Sequence, residues 1–504
     1  MMQKNNAASL PQPNCTGETY RRDRRIALVI FLTLWLSYAY FSHGGSWGAN
    51  AYLDLTRAVV EEKTFRIDAY VWNTGDWSKV GDHYYINKNP GASFLAAPIY
   101  FLYHLFDKNA FNDFVSARIA IHLITAFSFS LLAALAGSVF FLWLRRFAAV
   151  GPAIGTAAIF GVGTSQFSNA SFFNAAIVVS SFYILAAFML DRTRDSELTS
   201  ARAGIYTFLS GLCLGLAVVA EPISVFGIVI FAAFMIMQRR KIHIWLKFIL
   251  GGIAPAIALV IYNIRVIGKP FGTVYEFQNP VFSYDGAFLD VFRYPSLDIL
   301  YRITFHPIRG LFWVTPVLAL SIFGIISLWR QEKTRQLGML CASMILFYFL
   351  FNISFVAWHG GWYVGPRYLT PALPFFVAPL IFAFQRSGWL SQLAVSLATL
   401  SAAIQLTIVA VNPFCPQLPA ITNPLFQYTW PNFFSNMLSI NNASAFPRMP
   451  RHVSRIFSLE SFEEWWAAYN LGEVLGLQGV LSLLPLILAW MLAGLVLYKI
   501  ATEP

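Results

Sequence analysis

The chain has 504 residues, of which 57% are hydrophobic and only 12% are charged, and its formal net charge is +11. A soluble protein carries about 25% charged residues, so this composition excludes an ordinary soluble domain. Apolar runs of about 20 residues, the length that crosses a bilayer, recur along the chain. The sequence therefore predicts an all-α polytopic membrane protein.

The chain begins with a polar stretch, and residues 1–25 are predicted to be a disordered cytoplasmic tail. The apolar run at 26–44 is longer than a signal-peptide core, so we expect a retained first helix. The small-residue motif "ANA" at 49–51 leaves cleavage as an alternative. The four cysteines have no paired spacing, which predicts neither a disulfide framework nor a zinc site.

Twelve apolar segments are predicted to span the membrane. They are 26–44, 115–144, 148–166, 171–190, 203–220, 222–238, 245–264, 310–329, 337–357, 371–385, 389–411 and 479–498. The run at 92–106 is not counted, because about 15 residues are short for a span. We expect it to lie at the outer interface as an amphipathic or re-entrant helix.

The distribution of charge gives the orientation. In the twelve-span arrangement, the side of the N-terminus carries 19 Lys and Arg against 7 acidic residues, and the other side carries 16 against 17. By the positive-inside rule both termini are cytoplasmic. Anionic lipid headgroups account for the basic excess, and no nucleic-acid partner is expected.

With the tail at 1–25, the chain is predicted to have four regions. Residues 26–411 form a transmembrane catalytic region that includes a folded extracytoplasmic loop at 45–113. A second extracytoplasmic loop covers 412–477, and residues 478–504 form the last helix and a cytoplasmic tail. The loop at 265–308 is also outside. Because the cytoplasmic connections are short, we expect the working face to be extracytoplasmic.

Two acidic residues of the first outer loop, Asp54 and Asp76, are candidates for catalysis. A carboxylate close to the membrane surface can take a proton from an acceptor hydroxyl or amine as a general base. The alternative for either residue is an ordinary solvated loop acid.

Three basic residues are predicted at the lipid–water boundary of the outer face: Lys88, Arg309 and Arg367. Each lies in a Gly-, Pro- or aromatic-rich context, and cations there suit a lipid phosphate, which they bind through charge-assisted hydrogen bonds. The alternative is that these side chains only snorkel from helix ends towards water.

Further substrate contacts are expected from neighbouring aromatic and basic side chains. Trp358 and Tyr368 can stack on sugar faces, although Trp and Tyr are also common in interfacial belts. His83 and His359 can act as acids or ligands. No spacing of His, Asp and Glu predicts a metal site. No cofactor is therefore expected, with a divalent metal left as an open alternative.

Four stretches carry a family resemblance. They are "GDHYYINKNPGASFLAAPIY" (81–100), "YNIRVIGKPFG" (262–272), "RGLFWVTP" (309–316) and "WHGGWYVGPRYLTPALPF" (358–375). In this order, on one membrane face, they resemble the GT-C superfamily of membrane glycosyltransferases. The nearest groups are its protein-mannosyltransferase-like and aminoarabinose-transferase-like branches. The resemblance implies a GT-C-like arrangement of about 12 helices.

The resemblance also implies roles for particular residues. Such enzymes use an acid in the first outer loop, and "DLTRA" resembles the family's Asp-x-x-Arg stretch, which implies Asp54 as the acid and Arg57 as a substrate contact. Leu55 stands where many members have a second acid, so Asp76 is the other candidate. The stretch "YYINKNPG" implies Lys88 and Tyr84, but Asn87 stands where the family commonly has an acid.

The predicted function is that of an inverting glycosyltransferase in the plasma (inner) membrane. It moves a hexose or pentose from a polyprenyl-phosphate carrier to a lipid, glycan or protein acceptor on the extracytoplasmic face. A lipid phosphate is a good leaving group, so one base and a few cations suffice. A lipid-linked donor also fits the lack of a Gly-rich nucleotide-binding loop in the sequence.

Other functions stay open at the level of the sequence. The main alternative is a membrane transporter or flippase, although nearly charge-free spans without a visible inverted repeat disfavour it. A structural or assembly protein and an oligosaccharide ligase or polymerase are further alternatives.

Overall fold

The fold is almost entirely helical. The computed structural model describes residues 17–43, 46–112, 114–195, 198–282, 291–386, 388–415, 420–440 and 468–503. The helices of the first half are α1 (Gly17–Ala39), α2 (Trp47–Arg57), α3 (Gly91–Phe106), α4 (Phe114–Thr125), α5 (Leu131–Leu144), α6 (Val150–Val162), α7 (Gln166–Asn169), α8 (Ala175–Arg192), α9 (Ser200–Ala220), α10 (Val225–Met237) and α11 (Ile242–Ile267).

The second half continues the helical pattern. Its helices are α12 (Leu297–Thr304), α13 (Leu311–Val314), α14 (Ser321–Arg330), α15 (Arg335–Ser354), α16 (Leu373–Val377), α17 (Ile381–Gln385), α18 (Trp389–Val411), α19 (Trp430–Phe434), α20 (Leu471–Val474) and α21 (Leu484–Thr502). Four short strands, β1 (Phe41–Ser42), β2 (Trp77–Val80), β3 (His83–Ile86) and β4 (Tyr469–Asn470), form two antiparallel pairs.

The predicted polytopic membrane fold is confirmed. Among the described residues, eight helical segments are long and apolar enough to cross a membrane. They are Val115–Leu144, Ala175–Arg192, Ser200–Ala220, Ile242–Ile267, Arg335–Ser354, Arg367–Gln385, Trp389–Val411 and Gly479–Thr502. The count of twelve stays a prediction, because the other four predicted spans coincide with α1, with α6 and with the apolar helices Pro222–Met237 and Pro316–Arg330, which have 10–17 residues.

Close helix packing fixes α9 against α11. A Cβ atom on Gly211 would lie 1.9 Å from the carbonyl oxygen of Phe248, and one on Gly251 would lie 2.0 Å from that of Phe208. The two backbones are therefore in contact, as small residues allow in membrane helix pairs. This crossing holds α9 in place, and Glu221 follows directly after the last residue of α9.

The first predicted outer loop is folded, as expected. Helix α2 begins after Ser46, whose side chain caps it by accepting a hydrogen bond from the Ala49 amide, 3.2 Å away. Helix α3 corresponds to the apolar run that was not counted as a span. It buries Ala92, Ala96 and Tyr100, while its end at Phe106 is exposed. This one-sided burial is typical of a helix lying on a surface.

A β-hairpin follows the polar turn of the same loop. Strands β2 and β3 pair with Trp77 opposite Ile86 and Val80 opposite His83. Gly81 makes the tight turn with φ at 61°, a conformation that favours glycine. The hairpin also holds the segment 274–279, since Ser78 Oγ donates to the Val274 carbonyl (2.7 Å) and the Asn279 amide to the Trp77 carbonyl (2.9 Å).

Strand β4 fastens the C-terminal part of the chain to the end of α1. Phe41 pairs with Asn470, and the Leu471 amide donates to the Tyr40 carbonyl over 2.9 Å. Residues 416–419 and 441–467 of the loop predicted at 412–477 lie outside the described residues, and so do residues 1–16 of the predicted tail at 1–25.

We expect accessibility to impermeant reagents to report the orientation. Cysteines introduced at Asp82 and Tyr294, both exposed in the predicted outer loops, should react with an impermeant maleimide in intact cells. Cysteines at Arg239 and Glu332 should react only after permeabilisation. A Cys15→Ser background suffices, because the other three cysteines are buried. Labelling of Arg239→Cys in intact cells would contradict the predicted orientation.

Candidate functional site

Asp76 and Lys88 meet at the base of the hairpin. The Lys88 Nζ atom lies 2.9 Å from Asp76 Oδ2, and the two side chains are only 21% and 13% exposed. The strand register brings them together, since the Asn87 amide also donates to the Asp76 carbonyl (3.1 Å). Gly48 of α2 lies beside the pair, because a Cβ there would be 3.4 Å from Asp76 Oδ2. The ion pair therefore lines the surface between α2 and the hairpin.

Glu221 reaches the same place from the end of α9. Asn89 Nδ2 donates to the Val218 carbonyl over 2.9 Å, and a Cβ on Gly91 would be 2.5 Å from the Ala220 nitrogen. The segment after Lys88 is thus packed directly on the last turn of α9. Burial raises the pKa of Glu221 to about 7, while the nearby charges of Arg367 and Lys88 act in the opposite direction.

Arg367 comes from the segment that precedes α16. Its guanidinium interacts electrostatically with Tyr368, Asp76 and Tyr52, and its carbon Cζ lies 5.5 Å from the centre of the Tyr368 ring. Gly360 packs against Arg367, because a Cβ on this glycine would be 3.4 Å from Arg367 Cβ. The second predicted cation is therefore in the same cluster as the Asp76–Lys88 pair.

Tyrosine hydroxyls complete this cluster. Tyr52 of α2 interacts with the charges of Glu221, Arg367 and Asp76, and Tyr275 interacts with those of Glu221 and Asp76. Burial raises the pKa of both tyrosines, so both are hydrogen-bond donors at neutral pH. The charged cluster consists of Asp76, Lys88, Glu221 and Arg367, surrounded by Tyr52, Tyr275 and Tyr368.

Asp54 has a different environment. Its side chain is fully buried, its Oδ1 accepts a hydrogen bond from Asn73 Nδ2 over 2.9 Å, and its Oδ2 has no hydrogen-bond partner. Burial raises the pKa of Asp54 to about 8, against the opposing effects of Asn73 and Arg57. At neutral pH this residue is mostly a neutral acid. Its catalytic role stays a prediction, and its surroundings do not favour a base.

Arg57 is held one helical turn further on. It forms a bidentate ion pair with Glu61, at 2.7 and 3.2 Å, and its guanidinium lies over the rings of Tyr70 and Phe111. Tyr70 and Tyr100 also donate to the Glu61 carboxylate. These contacts form a packed internal network, and the predicted substrate contact of Arg57 stays a prediction.

Arg309 is buried and bonds backbone carbonyls. Its guanidinium donates to the carbonyls of His359 (2.9 Å), Gly361 (2.7 Å) and Tyr363. Burial lowers the pKa of Arg309 to about 10. Arg309 therefore holds the segment 359–363, which precedes Arg367. The predicted phosphate contact of Arg309 stays a prediction.

The other predicted substrate contacts lie around this framework. His359 Nδ1 accepts from the Gly361 amide (3.1 Å), and burial lowers the pKa of His359 to about 4. The Arg302 Cζ atom lies over the Trp358 ring, 5.9 Å from the ring centre. On the hairpin, His83 Nδ1 pairs with Asp68 (2.8 Å), and Tyr84 packs edge-on against Trp77. Of this set, Tyr368 and His359 interact electrostatically with Arg367.

One member of the charged cluster, Glu221, and two of the surrounding tyrosines, Tyr52 and Tyr275, were not predicted. Glu221 stands out in the sequence as an acid between two predicted spans, but an acid at such a tight turn is expected only to cap a helix or to pair with a cation. Tyr52 and Tyr275 carry no sequence signal, because their proximity depends on how α2 and the segment 274–279 pack on the hairpin. In the described part of the chain, no three His, Cys, Asp or Glu side chains are grouped as metal ligands. The absence of a cofactor stays a prediction.

No protein-family model matches the chain, and no curated protein matches its sequence. Solved structures similar to it include ArnT from Cupriavidus metallidurans in the apo state, with 14% identity, a TM-score of 0.49, and 89% of this chain and 75% of that one covered. The same protein bound to undecaprenyl phosphate has 16% identity and a TM-score of 0.46, and the match covers 90% of this chain and 75% of that one. The apo oligosaccharyltransferase of Archaeoglobus fulgidus has 11% identity and a TM-score of 0.48, and the match covers 78% of this chain and 57% of that one.

We expect Asp54→Asn to keep the fold and to weaken the pH dependence of stability. An unfolded Asp ionises near pH 4, whereas buried Asp54 keeps its proton up to about pH 8. The favourable contribution is complete below about pH 4 and is lost as the pH rises towards 8. The apparent melting temperature in detergent should therefore fall less between pH 5 and 8 in Asp54→Asn.

The exposed Asp298 provides the control for this measurement, since its side chain is 64% exposed. Asp298→Asn should keep the wild-type dependence on pH. Glu221, whose pKa is also raised, should leave part of the slope in Asp54→Asn. An unchanged slope in Asp54→Asn would mean that this carboxyl group is not buried in its neutral form.

Proposed function

We propose that this protein is an inverting glycosyltransferase that moves a sugar from a polyprenyl-phosphate carrier to an acceptor at the extracytoplasmic face of the plasma (inner) membrane. The observation that carries the proposal is the charged cluster, in which a carboxylate and two cations meet beside tyrosine hydroxyls. A sugar transfer from a lipid phosphate needs one base and positive charge at the leaving group.

Lys88 and Arg367 are the proposed phosphate-binding residues. Both interact with the same carboxyl groups, Asp76 and Glu221, although they come from distant parts of the chain. An anionic phosphate between them gains charge-assisted hydrogen bonds. As the bond between the anomeric carbon and the phosphate oxygen breaks, the electron pair stays on that oxygen. The two cations stabilise the charge that develops there.

Asp76 is the proposed general base. It is partly exposed, and it stands in the cluster as the charged partner of Lys88. The acceptor oxygen or nitrogen attacks the anomeric carbon on the face opposite the phosphate and transfers its proton to Asp76. The configuration of the sugar is thereby inverted. Asp54 is less suited to this step, because it is fully buried and holds its own proton at neutral pH.

The location of the reaction follows from the distribution of charge. Asp76, Lys88, Glu221 and Arg367 all belong to segments predicted on the side that lacks the basic excess. A donor that is itself a membrane lipid suits a site at this boundary. The acceptor, whether lipid, glycan or protein, enters from the outer side.

The release of the carrier lipid tests the proposal directly. Purified protein should release polyprenyl phosphate from at least one donor of a panel carrying hexoses and pentoses, when acceptor-containing membranes are added. Release should stop in Asp76→Asn. Accumulation of a solute or lipid-linked sugar in proteoliposomes, without transfer from any donor of the panel, would instead favour a transporter or flippase.

Exchanging the two candidate acids for amides separates their roles. Asp76→Asn removes the proton acceptor, and we expect turnover to fall by about 10²- to 10⁴-fold, the usual contribution of general-base catalysis. Asp54→Asn should keep turnover near the wild-type level, because it replaces a neutral group by another of the same shape. The opposite result, an inactive Asp54→Asn and an active Asp76→Asn, would assign the base to Asp54.

Removing a phosphate-binding cation should weaken donor binding. We expect Lys88→Ala and Arg367→Ala to raise the dissociation constant of a lipid-phosphate donor by about 10-fold or more, since each hydrogen bond to a charged group contributes about 1.5–3 kcal/mol. Lys79→Ala is the matched control, because Lys79 is an exposed cation on the same hairpin. Equal losses in Lys79→Ala would indicate general electrostatic attraction in place of a defined phosphate site.

A further inference from the structure

Glu221 is a member of the charged cluster to which the proposed reaction assigns no step. Both backbone polar groups of Glu221 are hydrogen-bonded: its amide donates to the Ala217 carbonyl (2.9 Å), and its carbonyl accepts from the Ser224 amide (3.0 Å). Within the described part of the chain, its carboxyl group makes no hydrogen bond and no ion pair to another side chain. It nevertheless lies half-buried beside two cations.

We propose that Glu221 is a further phosphate-binding residue, which in its protonated form donates a hydrogen bond to a phosphate oxygen held by Lys88 and Arg367. Donor binding then takes up a proton to the extent that Glu221 is ionised in the free protein. This inference rests on the proposed function, because it requires a lipid phosphate in the charged cluster.

The balance of charge supports this assignment. With Glu221 ionised, two carboxylates, those of Asp76 and Glu221, face two cations, those of Lys88 and Arg367. A phosphodiester brings one more negative charge into this partly buried site. Protonation of Glu221 removes that excess, and the neutral carboxyl group becomes a donor that a phosphate oxygen can accept. An ionised Glu221 would instead repel the phosphate.

Among the described residues, the Glu221 charge also acts on four tyrosine hydroxyls, which are neutral donors. The Glu221 charge acts on Tyr52 of α2 and on Tyr275 of the segment 274–279. It also acts on Tyr183 of α8 and Tyr348 of α15, whose hydroxyls lie 3.0 Å apart. A proton taken up near neutral pH therefore goes to one of the two carboxylates. Asp76 already has an ion-pair partner, Lys88, at 2.9 Å. Glu221 has none among the described residues and is therefore the carboxyl group to which we assign the proton.

The protonation equilibrium lies in a useful range. Because burial raises the pKa of Glu221 to about 7, both forms are populated near neutral pH in the absence of a ligand. When only one form binds, the apparent affinity scales with the fraction of that form. A ligand of constant charge should then bind about 10-fold more weakly at pH 8 than at pH 6.

The test measures binding of farnesyl methyl phosphate to the full-length protein in detergent. This phosphodiester keeps one negative charge from pH 6 to 8 and has no sugar, so its binding does not depend on the identity of the donor or on turnover. We expect the wild type to lose about 10-fold in affinity between pH 6 and pH 8. Glu221→Gln should bind with nearly constant affinity, because its amide is a neutral donor at every pH.

Glu276→Gln is the matched control, since Glu276 is also on the outer face but is half-exposed, 4.0 Å from Lys269. It should keep the wild-type dependence on pH. Calorimetry of the wild type in buffers of different ionisation enthalpy adds a measurement without a variant, and we expect an uptake of about half a proton at pH 7.

The outcomes separate the two proposals. Binding with no dependence on pH and no proton uptake in the wild type overturns the assignment of Glu221 and leaves the phosphate site intact. A dependence on pH that persists in Glu221→Gln overturns it as well and points to Asp76. If the wild type binds the phosphodiester at no pH, the proposed phosphate site fails, and the assignment of Glu221 fails with it.

Discussion

The charged cluster depends on one close contact between distant parts of the chain. A Cβ atom at position 91 would lie 2.5 Å from the Ala220 nitrogen, so only glycine allows the start of α3 to pack on the last turn of α9. Helix α9 cannot move away, because its glycines are already in backbone contact with α11. The contact sets Lys88, three residues before Gly91, beside Glu221. Without this contact, nothing local in the sequence would bring Lys88 of the predicted outer loop close to Glu221.

Two aspartates of the same loop show how the environment divides chemical roles. Asp54 is buried with one oxygen unpaired, and an isolated buried carboxylate is so unfavourable that the group keeps its proton. Asp76 is partly buried but has Lys88 within 2.9 Å. The residue type alone therefore does not identify a base, and the partner of each carboxyl group decides.

Hydropathy and charge predict much of this fold, because the bilayer imposes a length on each span and a sign on each connection. Short motifs were enough to select Asp76, Lys88 and Arg367, which the structure brings together. The position of Tyr275 depends on contacts between the hairpin and a segment about 200 residues further along the chain, and that of Tyr52 depends on how α2 packs beside the hairpin; no local pattern records either. Arg309 marks another limit: an arginine beside a glycine fits a phosphate or a carbonyl equally well, and the structure gives it carbonyls.

Arg309 and Arg367, the two arginines predicted on the outer face, have different partners. Gly360 and Gly361 adopt φ values of 70° and 73°, which turn the backbone so that carbonyls of this segment meet the Arg309 guanidinium. With the segment held by Arg309, Arg367 is fixed within reach of Asp76. Burying cations is costly unless they are paired, and Asp76 and Glu221 supply the compensating charge while no substrate is bound. In the proposed reaction, an entering phosphate takes over part of that compensation. The carboxyl groups that stabilise the free site are then those whose charge must change, or which must find a new partner, when the proposed donor binds.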